Sequence, residues 1–141
     1  MPVLEHISYN DLNARQKEQF NFQKLASLLA SYGFNCIKLA DDWQDADFLA
    51  YHISKNTTLK IQLKSRITIQ RKYVDKEIWI AFPHKGSWYL IEHDQLEAKV
   101  GKHTSWLKSG SWLVAGRFSS VSINPKLLHS LAENKLFEVQ E

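Results

Sequence analysis

Asp47, Gln62 and Lys64 are the residues whose types and spacing could do chemistry together. From Leu59 the chain alternates, with Leu59, Ile61, Leu63, Ile67 and Ile69 at odd positions and Lys60, Gln62, Lys64, Arg66, Thr68 and Gln70 at even ones. A period of two sends alternate side chains to opposite faces of a strand, so one face is expected to be apolar and buried while Gln62 and Lys64 stand together on the other. The run Phe48 to Ile53 is also strand-like, and Ser54-Lys55-Asn56-Thr57 has the composition of a hairpin turn. With those residues as the loop, Ile53 pairs with Thr58, Leu49 with Gln62 and Asp47 with Lys64. Opposed residues of an antiparallel pair share a face, with Cβ atoms about 5 Å apart. A carboxylate, an amide oxygen and an ammonium then converge at one end of the hairpin.

Such a set suits a hard cation. Mg²⁺ takes oxygen ligands, usually one or two carboxylates with waters and phosphate oxygens. Asp47 offers the carboxylate and Gln62 a neutral carbonyl oxygen, while Lys64 is placed to hold a water or the charge that develops on a phosphate. A metal-bound water is nucleophilic near neutral pH, so the chemistry implied is phosphodiester hydrolysis. The bland alternative is an amphipathic hairpin whose Lys60, Lys64 and Arg66 form an ordinary solvated edge.

The order of a helix, Asp47 at the start of an apolar strand, a short turn and then Ile61-Gln62-Leu63-Lys64-Ser65-Arg66 resembles the core of the PD-(D/E)xK, or restriction-endonuclease-like, superfamily. It is most similar to the variants that read Gln-x-Lys for Glu-x-Lys, and the likeness runs from Asn13 to Phe82. The resemblance implies an α/β domain with a mixed central β-sheet flanked by helices. It also implies Mg²⁺- or Mn²⁺-dependent cleavage of DNA. On that basis Asp47 and Gln62 are metal ligands, Leu63 contributes a backbone carbonyl, and Lys64 is the catalytic lysine. Two departures stand out: Gln62 removes a negative charge, and Ala46 replaces the motif's proline. Many members carry a Glu on the preceding helix. The matching position here is Phe22, and the Glu on the same helix face is Glu18, one turn earlier.

The elements that must position these residues read as follows. Asn10 or Asp11 is expected to cap a helix reaching Tyr32, with Phe22, Leu25, Leu28, Leu29 and Tyr32 as its apolar stripe and Gly33 as its stop. Phe34 to Leu39 is a strand, and Asp41 to Asp45 an acidic loop around Trp43. Each acid of that loop has oxygens to offer a metal, but such residues ordinarily serve as exposed turn residues. Glu77 to Phe82 and Ser87 to Glu92 are two more strands joined by a turn at Pro83–Gly86. Asp94 to Val100 is a short helix. Asn124 caps a last helix that has Pro125 in its first turn. Four or five strands are expected in all.

The 141 residues are expected to form one domain, with 44% hydrophobic and 23% charged residues as in ordinary globular proteins. The net charge of +3 is mild, but its distribution is not. Lys55, Lys60, Lys64, Arg66, Arg71, Lys72 and Lys76 face a single acid, Asp75, in their stretch. Arg66, Arg71 and Lys72 are therefore expected to hold backbone phosphates of DNA. Cys36 is the sole cysteine, which excludes an internal disulfide and a thiolate metal cluster. His84, His93 and His103 are too dispersed to suggest zinc. No signal segment, membrane-length apolar run or Gly-rich phosphate loop is present, so a cytoplasmic protein is expected. Cutting two strands calls for two sites, hence a symmetric dimer or larger assembly. Two rivals remain: a nucleic-acid-binding module of the same fold whose catalysis has lapsed, and a protein-interaction domain that uses Trp43, Trp88, Trp106 and Trp112.

Overall fold

The computed structural model describes residues 2–139. Helix α1 spans Ala14–Ala30, and its cap is Asn13 rather than Asn10 or Asp11. The Asn13 side chain accepts from the Gln16 N–H at 2.8 Å and Gln16 returns the bond to the Asn13 N–H at 2.9 Å, a reciprocal capping box. Leu25 and Leu29 are buried on its inner face, and the Phe22 ring packs edge-on against Phe48 with centroids 5.0 Å apart. Tyr32 lies beyond the helix and is 42% exposed. Gly33 is required at the stop: its φ is +87°, and a Cβ there would sit 2.6 Å from Nε2 of His52.

Five strands follow in one mixed sheet, in the order β1 (Phe34–Trp43), β2 (Ala46–His52), β3 (Thr58–Leu63), β5 (Ile78–His84), β6 (Ser87–Glu92). All neighbours are antiparallel except β3 and β5. Parallel strands need a crossover, and here it carries β4 (Ile67–Gln70), which leaves the main sheet to pair with β7 (Arg117–Ser120). The alternation from Leu59 to Gln70 is thus two strands in two sheets, broken at Lys64-Ser65-Arg66. Alternation reports a pleat; it carries no information about which partner the pleat joins.

The two faces of the main sheet bury separate cores. Phe48, Ala50, Ile61, Ala81 and Leu90 pack with Leu25 and Leu29 of α1. On the other face Ile78, Ile80, Phe82 and Ile91 meet Ile67 and Ile69 of β4, α2 (His93–His103) and α3 (Pro125–Ser130). The α3 cap is as expected, with the Asn124 side chain accepting from the Leu127 N–H at 2.8 Å. The loop from Gly101 to Gly116 is well packed: Trp106 stacks on Phe118 with centroids 4.7 Å apart, and Trp112 is buried. Neither indole is free to stack on a base. Burial also pushes the Cys36 thiol up to about 11, which leaves it a packing residue rather than a nucleophile.

Candidate active site

The hairpin that holds the predicted residues turns one position earlier than its composition suggested, with the His52 N–H donating to the Thr57 carbonyl at 2.9 Å. Tyr51 pairs with Thr58, Leu49 with Lys60 and Phe48 with Ile61. Continuing that register puts Asp47 opposite Gln62, not Lys64, and Leu49 opposite Lys60, not Gln62. His52 explains the shift. Its Nδ1 accepts from the backbone N–H groups of Ser54 at 3.1 Å and Lys55 at 2.9 Å, so the chain turns around the imidazole directly after His52. A shift of two residues leaves every side chain on its own face but changes its neighbours.

Asp47 is half-buried and accepts from the Leu63 N–H through Oδ2 at 2.8 Å. The N–H and C=O of one strand residue point to the same side, so the Leu63 carbonyl also lies on the Asp47 side of β3. Gln62 is 5% exposed. Its Nε2 donates to the Asp45 carbonyl. A carbonyl can only accept, so this bond fixes the amide orientation and leaves Oε1 as a spare acceptor.

The acidic stretch before the site is not a loop. Strand β1 continues to Trp43, and Gln44 and Asp45, with φ of 49° and 67°, make a two-residue turn into Ala46. Left-handed conformation at both central residues is the geometry that matches strand twist in tight hairpins. The pairing slips between Lys38 and Trp43, after which Trp43 faces Ala46. The next pair in that register is Asp42 with Asp47. Burial pushes the Asp47 carboxyl above its usual range, and the neighbouring Asp42 charge pushes it further, against the Leu63 N–H and Lys64, which pull it down. Asp42 is the residue that the spacing of the motif did not single out; two acids five positions apart reveal nothing until the slip opposes them.

Lys64 follows the end of β3, its N–H donating to the Ala81 carbonyl at 2.8 Å. Its ammonium lies 5.5 Å from the centroid of the buried Tyr73 ring, which also carries Lys72 at 5.2 Å. Burial lowers the Lys64 pKa, and Lys72 lowers it further, while Asp47 and Asp42 oppose them. Tyr73 is a second residue that sequence spacing did not reveal. Glu18 is exposed on α1 and lines, with Arg15, Lys38, Asp42 and Asp47, a cleft of about 760 Å³ between the helix and the start of the hairpin. Arg66, Arg71 and Lys72 are exposed outside that cleft and belong to a groove beside it.

No family model matches the chain, and no curated protein does. Two solved structures align with it in part. A Holliday junction resolvase, Hjc of Archaeoglobus fulgidus, is 18% identical over 52% of this chain and 76% of its own, with a TM-score of 0.41. The bacterial homing endonuclease I-Ssp6803I is 12% identical over 79% of this chain and 78% of its own, with a TM-score of 0.44.

A second group of potential ligands, His93, Asp94 and Glu97, has donor atoms within 4.8 Å of one another. His93 is wholly buried, and its Nε2 accepts the Gln70 N–H at 3.0 Å. The ring proton is therefore on Nδ1, which faces Asp94 Oδ1 at 3.1 Å. Asp94 Oδ2 in turn accepts the Asp75 N–H at 3.0 Å. The imidazole has no lone pair left for a metal; it ties β4 and α2 together.

Proposed function

We propose that the chain is a metal-dependent endonuclease that hydrolyses DNA phosphodiester bonds, built on the restriction-endonuclease-like plan in its Gln-x-Lys form. One observation carries the reading: Asp47 and Gln62 oppose each other where the β2–β3 register is continued, each keeps one side-chain oxygen that no backbone group occupies, Lys64 is next to them, and a second carboxylate, Asp42, lies alongside. The donor set is all oxygen, which fits Mg²⁺ or Mn²⁺ rather than zinc. Asp47, Asp42, Gln62 Oε1 and the Leu63 carbonyl would hold the ion. Glu18, which lines the same cleft, would orient a water there. When bound, the ion supplies a Lewis acid and lowers the pKa of water.

The chain's own groups do the rest. The Leu63 N–H fixes the Asp47 carboxylate, and the Asp45 carbonyl fixes the Gln62 amide, so neither must reorganise when substrate arrives. Lys64, braced against Tyr73, directs its N–H donors at the oxygens on which charge builds as water adds to phosphorus and the bond to the leaving oxygen breaks. Arg66, Arg71 and Lys72 would hold the flanking backbone, and a symmetric pair of chains would present one site to each strand.

The test is cleavage of supercoiled and linear DNA with Mg²⁺ or Mn²⁺, beside Asp47→Ala, Lys64→Ala and an EDTA control. Activity lost in all three is the expected result; cleavage indifferent to both substitutions would sink the assignment. The neutral Gln62 favours a second reading, a DNA-binding module whose catalysis has lapsed. That reading expects salt-dependent DNA binding with little Mn²⁺ affinity.

A further inference from the structure

The sheet pair β4–β7 has two unlike faces. Thr68 pairs with Ser119 and Gln70 with Arg117, so these four share one face, while Ile69 and Phe118 pair on the other and are packed into the core. The polar face opens into two adjoining cavities of about 370 and 480 Å³ that share Gln70 and Arg117. Lys64 and Arg66 line the first, and Arg71 and Lys72 the second. No carboxylate lines either cavity, and among the described residues the Lys and Arg of the groove form no ion pair with an acid.

The groove is also built rather than merely charged. Arg71 donates to the Trp112 carbonyl and lies 5.2 Å from the Trp112 ring centroid. Its N–H donates to the Gly116 carbonyl at 2.7 Å, and Gly116 has a φ of +70°, with a Cβ there meeting Arg71 atoms at 3.3 Å. The residue before Arg117 thus turns tightly against Arg71. Arg66, Arg71, Lys72 and Arg117, close together and without an acid partner among the described residues, are arranged for a polyanion, since like charges held together without counter-charges raise the free energy until an anion arrives.

We propose that the polar face of the β4–β7 ribbon seats the phosphodiester backbone of duplex DNA beside the cleavage site, with Arg117 as its central phosphate contact. The proposal rests on the nuclease reading and extends it: Lys64 belongs both to the catalytic cluster and to one end of the groove, so a strand held at Lys64 continues naturally along the ribbon. Arg117 lies more than forty residues from the basic block of the sequence and joins it only through the pairing with Gln70.

The experiment is fluorescence anisotropy of a mixed-sequence DNA duplex about three helical turns long, with EDTA present, against the full chain and its Arg117→Ala, Arg66→Ala and Lys126→Ala forms over a series of salt concentrations. Lys126 is exposed and lines neither cavity. Arg117→Ala and Arg66→Ala are each expected to weaken binding roughly five- to tenfold at about 0.1 M salt and to make the log–log salt slope shallower by about 0.9. Lys126→Ala should match the parent. Arg117→Ala with the parent's affinity and slope would overturn the proposal. A Mn²⁺ titration of the same proteins separates the two readings. Arg117→Ala should keep the parent's Mn²⁺ affinity, so a changed salt slope with unchanged Mn²⁺ binding reports the groove alone. Failure of the parent itself to bind Mn²⁺ would count against the nuclease and leave the slopes to decide the groove.

Discussion

Two clusters of metal-ligating residue types lie near Tyr73, whose ring centroid is 5.6 Å from that of His93 and 5.5 Å from the Lys64 ammonium, and they differ in what their hydrogen bonds leave over. Around His93 both ring nitrogens are spent inside the protein, on Gln70 and Asp94, and each Asp94 oxygen is already engaged, one with the ring and one with the Asp75 N–H. Around Asp47 the protein's bonds orient the groups without exhausting them: one oxygen of Asp47, the amide oxygen of Gln62 and the Asp42 carboxylate remain available. Residue types within reach of one another do not make a site. Spare, oriented acceptors do, and holding them together has a cost, visible in the raised Asp47 carboxyl.

The largest expected effect is at the open cluster. Asp47→Ala should lower Mn²⁺ affinity by at least about a hundredfold, read by calorimetry, because it removes the central carboxylate. The closed cluster should behave oppositely. His93→Ala is expected to cost about 2–4 kcal/mol in urea unfolding, from a lost core contact and an unsatisfied Gln70 N–H, while Mn²⁺ affinity stays at the parent value. Loss of metal binding in that variant, with the fold intact, would erase the distinction drawn here.

Gln62→Glu sharpens it further. The added charge should raise Mn²⁺ affinity about tenfold near neutral pH, and an unchanged affinity would remove Gln62 from the ligand set. A smaller effect concerns stability. Because Asp47 holds its proton to higher pH in the fold than in the unfolded chain, stability falls as pH rises from the ordinary carboxylate range through the raised value. Asp47→Asn keeps an acceptor for the Leu63 N–H and removes that titration. It should raise stability at neutral pH by about 0.5–2 kcal/mol and flatten that part of the pH profile. Mn²⁺ affinity of the parent should fall as pH drops through the same window, starting above the usual Asp range.

Much of this was legible one residue at a time. The inner face of α1 at Leu25 and Leu29, the stop at Gly33, the strand Ser87–Glu92, the Asn124 cap and the body of the strand read as Glu77–Phe82 follow from local periodicity and local backbone chemistry, although that strand runs Ile78–His84 and takes in Pro83 and His84, which read as turn. The start of α1 was harder, since Asn10, Asp11 and Asn13 can all cap and only Asn13 finds a reciprocating glutamine at the right distance along the chain. The turn at Gln44-Asp45 lacks the glycine that usually betrays a tight hairpin, so its acids read as loop.

By itself the sequence determined the pleats, the caps, the basic block and the order Asp, Gln, Lys, because each is written in residues close together along the chain. Tertiary structure decided which groups meet. A histidine at the end of β2 holds the turn whose register brings Asp47 to Gln62, and a slip in β1 brought Asp42 to Asp47. Strand β7, unread in the sequence because its four residues are too few to show a period, carried Arg117 to the groove. Partners across a sheet are chosen by the packing of both faces at once, and no stretch of chain contains that information alone.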